Sequence, residues 1–302
     1  MPRSSSSGVV GKLKESKFVT MAELEVDSQT SIEKLLEKAK KIQNLVDAVI
    51  VGRDPKASLY LNTLVPSYLI KEKLKIQSIY CLDSRDRNRL GLFSDILTAG
   101  QLGLTDIVVA AGAHTTTSTY TKAKPVFDVD TVQLITMIKQ MSVGKAFTGE
   151  VIKPASFDIG AVVGFDHSRP EMAESMIQKE KHAGASYLIT LPVYDSEKAK
   201  MTADLACKIG IPLIVTLYPI DSVETSNWIN KLYPSSKPPE DLVERIKEAE
   251  KKSVNTETRS KEISEINRNL VSMLVKELKA VKGVSGCNIV STKLDVLSAR
   301  SQ

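Results

Sequence analysis

The chain has 302 residues, 42% of them hydrophobic, and a formal net charge of +5. That is enough apolar sequence for one large core, and the charge is too modest and too interspersed to mark a nucleic-acid surface. Three cysteines without CxxC spacing argue against a disulfide framework or a structural zinc, and no apolar run approaches the ~20 residues that cross a bilayer.

The first sixteen residues, MPRSSSSGVVGKLKES, are basic and Ser-rich without an apolar core, so a flexible tail is expected there rather than a secretory signal. A cytoplasmic location follows as the expectation. Residues 17–302 then read as one barrel domain. Short apolar, β-branched runs recur along it at Phe18–Leu24, Val46–Val51, Ile76–Leu82, Asp106–Ala111, Ile159–Phe165, Tyr187–Val193, Pro212–Tyr218 and Cys287–Ser291. Each is nearly continuous in hydrophobicity, as a strand covered on both faces must be. Helical periodicity fills the intervals. Ser31–Asn44 places Ile32, Leu35, Leu36, Ala39 and Ile42 on one face, and Leu90–Leu102, Asp128–Met141 and Met172–Ala183 serve the same role.

Eight strands alternating with helices predict a (β/α)8 TIM barrel, with a long helical insertion, Asp221–Lys282, before the last strand. A doubly wound dinucleotide fold is the alternative. It would require a glycine-rich first turn, and the turn here is Glu23-Leu24-Glu25-Val26-Asp27.

Barrel sites sit at the C-terminal strand ends. That rule selects Glu23 and Glu25, Gly52 to Asp54, Asp83 to Asn88, Gly112 to His114, Asp166 to Arg169, Thr190, Tyr194 and Asp195, Tyr218, and Ser291-Thr292. A carboxyl at a barrel mouth, its pKa raised by poor solvation, can act as a general acid. It can equally sit in an ion pair, here with Arg53 or Arg85. Asp86 can cap the helix after the third strand, and the arginines around it can hold an anionic ligand. Asp166 and His167 offer acid/base groups. With only His114 as a further ligand, no metal site is expected.

Four segments in order, RDRNRLGLFSDILTAGQLG (Arg85–Gly103), PVFDVDTVQLI (Pro125–Ile135), KEKHAGASYLITLPVYD (Lys179–Asp195) and PLIVTLYPIDSVETSNWINKLYP (Pro212–Pro234), resemble the methylenetetrahydrofolate reductase family. The resemblance spans roughly residues 17–300. It implies a flavoprotein of one-carbon metabolism: FAD across the strand ends, reduced by NAD(P)H or a redox partner protein, and reduction of a 5,10-methylene-tetrahydropterin, folate or an analogue, to the 5-methyl form. By the same resemblance Glu23 matches the family's acid; of the other strand-end candidates, Gly112, His114, Arg85, Asp86, Asn88, Asp166 and His167 are expected around the cofactor, and Glu25, Thr190, Tyr194 and Tyr218 around the substrate. The pattern also departs from the family. Ala113 stands where the family has an aspartate, Leu191 where it has a glutamine, Gly52 where it has a threonine, and Ser78 or a neighbour where it has a histidine. Losing two polar pterin contacts raises an alternative, a non-redox pterin-binding or methyl-transfer subunit on the same barrel. A homo- or hetero-oligomer is compatible with either reading.

Overall fold

The computed structural model describes residues 8–15, 17–53, 59–113, 122–164, 169–252, 255–290 and 294–298. Eight parallel strands close into a barrel in sequence order: β1 (Val19–Val26), β2 (Ala48–Arg53), β3 (Ser78–Asp83), β4 (Asp106–Ala110), β5 (Asp158–Val163), β6 (Tyr187–Pro192), β7 (Leu213–Leu217) and β8 (Val284–Val290). Helices α2 (Ile32–Ile42), α3 (Leu64–Leu74), α4 (Arg89–Gln101), α5 (Thr131–Ser142), α6 (Pro170–Ala183) and α7 (Ser196–Ile209) link successive strands. The architecture is the (β/α)8 TIM barrel that the sequence pattern predicts.

Strand alternation divides the apolar residues into two layers. One residue set, including Ala22, Leu24, Val49, Tyr80, Ile107 and Leu188, faces outward and packs against the helix ring. The opposite set, Val19, Met21, Ala48, Ile50, Ile79, Val108, Tyr187, Ile189 and Ile214, fills the barrel interior. Both faces of each strand are therefore buried, which is why the runs are nearly continuous in sequence.

Two features differ from expectation. Within the segment read as a tail, residues 9–14 form a short helix, α1 (Val9–Lys14), that closes the floor of the barrel at the N-terminal strand ends. Val9 is buried against the interior layer, its amide donates to Asp106 Oδ1 at 3.4 Å, and Lys12 pairs with Asp47 at 2.8 Å. Six residues are too few for a helix to persist alone, so docking holds it. The floor also carries an in-register carboxyl pair, Asp106 and Asp158. Burial and the Asp158 charge push Asp106 up to about 7, while Gln77 Nε2 donates to its other oxygen at 2.6 Å.

Strand β1 also runs two residues beyond its predicted end, to Val26, which brings Glu25 into the sheet. The long insertion resolves into α8 (Val223–Leu232), a 3-10 turn at Pro234–Ser236, α9 (Glu240–Lys252) and α10 (Thr256–Ala280). Its apolar face covers one side of the barrel mouth in a third cluster with Tyr194, Tyr218, Ile220 and Val290, and Trp228 packs on that cluster. The chain ends its described part in α11 (Leu294–Ser298). Among the described residues no helix is long and apolar enough to cross a membrane.

Candidate active site

The polar residues of the mouth are set by the alternation of β1. Val19 and Met21 point into the barrel, so Glu23 and Glu25 continue the same face toward the C-terminal end. Each carboxyl finds a different partner.

Glu23 lies across the barrel wall between β2 and β8. Its Oε2 accepts Asn288 Nδ2 at 2.8 Å. On the other side its carboxyl occupies the space over Gly52. A Cβ at position 52 would fall 2.1 Å from Glu23 Oε1, so only glycine leaves room for this placement. Burial raises the Glu23 pKa above the usual carboxylate range, and the Asn288 bond offsets part of that rise. The ion pair with Arg85 weighed from sequence does not form, because Arg85 is bound elsewhere.

Glu25 receives the Tyr218 hydroxyl, which lies 3.1 Å from each carboxylate oxygen. Tyr218 is in turn fixed by its neighbours. Its carbonyl accepts Tyr194 Oη at 2.8 Å, and its ring lies 6.5 Å from that of Trp228. Tyr194 is therefore a buried strut between the ends of β6 and β7, and its hydroxyl is committed to backbone instead of to a ligand.

Several expected ligand contacts take structural roles. Arg85, only 5% exposed, donates Nε to Asp86 Oδ1 at 2.7 Å, Nη2 to Asp86 Oδ2 at 2.5 Å and Nη1 to the Ala113 carbonyl at 3.2 Å. Asp86 also accepts Tyr60 Oη at 2.9 Å. The cap of α4 is Asn88, whose Oδ1 accepts the Gly91 amide at 3.0 Å, so Asp86 is not the cap. Gly112 has φ of +79°, and a Cβ there would meet Arg85 Cβ at 2.9 Å; it shapes the turn after β4. Thr190 Oγ1 accepts the Thr216 amide at 3.0 Å and bridges the register shift between β6 and β7. Leu191 covers Gly164, so an apolar side chain stands where the family pattern has an amide. Ser78 opens β3 at the floor end and is no substitute for a mouth histidine; Cys81 and Asp83 are the residues of β3 nearer the mouth. His114, Asp166 and His167 lie outside the described residues.

Asn288 escaped the sequence reading. It sits inside an apolar strand, and alternation with Cys287 and Ile289, which pack toward the helix ring, puts it on the inward face. A lone amide in the run Cys287-Asn288-Ile289-Val290 is the signal that could have found it.

The inward-facing side chains of the described mouth, Glu23, Glu25, Asp83, Asn288 and Tyr218, are acidic or neutral. Carboxylates accept from N–H groups and repel phosphate. With Arg85 spent on Asp86 and Ala113, these acceptors suit the N–H-rich edge of a heterocycle, while Lys198 and Lys237 line a neighbouring pocket at the mouth beside Thr190 and Tyr194. Among the described residues no three His, Cys, Asp or Glu side chains gather as metal ligands.

Comparison with known proteins bears on the same barrel. Three solved structures share the fold at low identity. A Clostridium thermocellum protein described as binding two copies of 5-methyl-5,6,7,8-tetrahydrofolic acid is 16% identical, with a TM-score of 0.56 and 96% of each chain covered. A 2,3-dimethylmalate lyase is 13% identical, with a TM-score of 0.54, covering 98% of this chain and 84% of its own. An oxaloacetate acetylhydrolase is 12% identical, with a TM-score of 0.53, covering 99% and 85%. These likenesses establish the fold. No curated sequence matches the chain. The family model described as methylenetetrahydrofolate reductase matches residues 13–290, nearly the whole length. The chain belongs to the methylenetetrahydrofolate reductase family.

Proposed function

We propose that the protein is an oxidoreductase acting on a one-carbon-bearing tetrahydropterin, with Glu23 as its acid. The observation that carries this reading is the environment of Glu23. It is a carboxyl at the C-terminal end of β1, held above its usual pKa by burial and oriented by Asn288. Such a group keeps a proton closer to neutral pH than a solvated glutamate does.

A methylene bridge between two ring-system nitrogens opens when one nitrogen is protonated. The Glu23 carboxyl gives its proton to that nitrogen, the C–N bond breaks with its electron pair going to the same nitrogen, and the methylene carbon remains on the other as an iminium. Reduction then needs a hydride donor, which the family resemblance gives as a reduced flavin supplied by NAD(P)H or a partner protein. Glu25, steadied by Tyr218, offers a carboxylate to the amino edge of the pterin. The folate ligand named for the Clostridium thermocellum protein supports the pterin class.

The departures at Ala113 and Leu191, where the family pattern has an aspartate and a glutamine, favour a second reading, a pterin-binding or methyl-transfer subunit without resident flavin. Absorbance of the purified protein near ~450 nm separates the two, since flavin supplies redox chemistry that side chains lack. The test of the main reading is Glu23→Gln. Binding of 5-methyltetrahydrofolate is expected to persist within a few-fold, while reduction of the 5,10-methylene form falls by roughly 10²-fold or more, the usual scale for removing a general acid. Equal turnover in the variant and the wild type excludes Glu23 as the acid.

A further inference from the structure

The rim of the barrel mouth holds a cleft that neither Glu23 nor Glu25 lines. It lies between the end of β6, the start of α7 and the 3-10 turn at Pro234–Ser236, and offers about 410 Å³ of space open to solvent. Small-molecule sites span about 300–1,000 Å³, so a small group or one arm of a larger ligand fits there.

The cleft is lined by donors, where the barrel throat presents the acceptors Glu23, Glu25 and Asp83. Lys198 on α7 and Lys237 just after the turn both line it. Among the described residues neither ammonium group has an ion-pair or hydrogen-bond partner, whereas Lys208 pairs with Glu174, Lys247 with Glu244 and Lys252 with Glu248. Thr190, 4% exposed, forms part of the same wall. Its Oγ1 accepts the Thr216 amide at 3.0 Å, and its own proton has no acceptor among the described residues. Ser235 and Ser236 add two hydroxyls. Asp195 is the one carboxylate among the described lining residues, and it is engaged as the N-cap of α7, accepting the Glu197 amide at 2.9 Å.

Two ammonium groups without counter-charges repel one another, and an anion between them reverses the sign of the interaction. Carboxylate and phosphate oxygens only accept hydrogen bonds, which matches a lining of lysines and hydroxyls. Tyr194 stands between this cleft and the throat. It lines the cleft, its hydroxyl bonds the Tyr218 carbonyl, and the Tyr218 hydroxyl bonds Glu25. A ligand with an N–H-rich ring and an acidic arm therefore meets acceptors on one side of the tyrosine pair and donors on the other.

The geometry points to the cleft between β6 and α7 as an anion subsite, with Lys198 and Lys237 as its cations and Thr190 as a buried donor. The group it takes is a carboxylate or a phosphate. Its carrier is either an acidic arm of the ligand in the neighbouring throat or a free anion; the first rests on the pterin reading of the site, and the second does not.

Calorimetric titration of the ligand-free, full-length protein tests the subsite. The probes are inorganic phosphate, 5-methyltetrahydrofolate, which carries a carboxylate arm, and 6-methyltetrahydropterin, the ring system without that arm. Lys198→Met combined with Lys237→Met keeps the aliphatic stems and removes both charges. Lys200→Ala, at an exposed position of α7 outside the cleft, controls for net charge. With the arm as carrier, the double variant is expected to bind 5-methyltetrahydrofolate about tenfold more weakly and 6-methyltetrahydropterin as before, because hydrogen bonds to charged groups are the stronger ones. With a free anion as carrier, the wild type is expected to bind phosphate, the double variant to lose it, and both pterins to bind unchanged. Raising the salt from about 0.05 M to about 0.5 M is expected to weaken the wild-type interaction and to change the residual binding of the double variant little. If the double variant does not fold, Lys237→Met alone, at an exposed position, decides. Affinities for phosphate and 5-methyltetrahydrofolate equal to those of Lys200→Ala overturn the subsite, and leave the pterin reading standing if the pterins bind. Loss of phosphate binding in a protein that binds neither pterin would support the subsite while counting against the pterin reading.

Discussion

Replacing Asp106 by Asn tests the electrostatics of the barrel floor. Asp106 is 1% exposed, and burial followed by the neighbouring Asp158 charge lifts its carboxyl from the ordinary 3.8 to about 7. A folded-state pKa above the unfolded one means that the folded protein binds the proton more tightly. Its stability contribution is therefore full below pH ~4 and is lost as pH rises through ~7. The span is about three units at about 1.36 kcal/mol each, or about 4 kcal/mol, of which about 2–3 kcal/mol falls between pH 5 and pH 8. Asn does not ionise, and its oxygen can still accept from the Val9 amide or from Gln77, two of the donors that Asp106 now serves beside the Thr105 side chain. Urea unfolding at fixed ionic strength, at pH 5 and pH 8, gives the slope directly. Wild-type stability is expected to fall across that range, and Asp106→Asn to fall about 2–3 kcal/mol less. Parallel pH dependences in the two proteins would refute the reasoning, because the buried carboxyl would then not be titrating in this window.

Two further substitutions probe the mouth. Gly52→Ala places a Cβ 2.1 Å from Glu23 Oε1, so the carboxyl must move by more than an ångström to reach ordinary contact and leaves Asn288. Roughly 10²-fold lower turnover is expected, with a stability loss of about 1–3 kcal/mol from the broken buried bond to Asn288; unchanged turnover would show that the placement of Glu23 is not critical. Tyr194→Phe removes the hydroxyl that serves the Tyr218 carbonyl and leaves that buried acceptor unpaired. A loss of about 1–3 kcal/mol in denaturant unfolding is expected, with pterin affinity changed only through the setting of Tyr218.

The barrel was legible because its strands are covered on both faces, which writes each as a compact apolar run such as Leu213–Leu217. Glu23 and Glu25 were legible because alternation is a local property of β1. What the sequence could not convey depends on contacts between distant segments. The floor helix Val9–Lys14 has too few residues to signal itself and exists through its docking on Val19, Met21 and Asp106. Arg85 reads as an anion-binding arginine until its guanidinium is seen bound to Asp86, the next residue in the chain. Thr190 and Tyr194 sit in the most family-like segment, yet both hydroxyls serve the backbone near the end of β7. Which polar side chains face a ligand and which hold the barrel together is a matter of pairing across strands, and composition does not carry it.

The bond between Glu23 and Asn288 joins residues 265 positions apart, across the seam where the last strand meets the first. A chain still lacking β8 has the glutamate but neither the wall that buries it nor the amide that orients it. In such an intermediate its carboxyl titrates as an ordinary solvated one, and the shift arrives only with closure of the seam. The proton affinity of Glu23 is therefore a reporter of closure of the seam between β1 and β8. Followed during refolding, it would time the insertion of the final strand, a non-local step of the kind that slows the folding of parallel barrels.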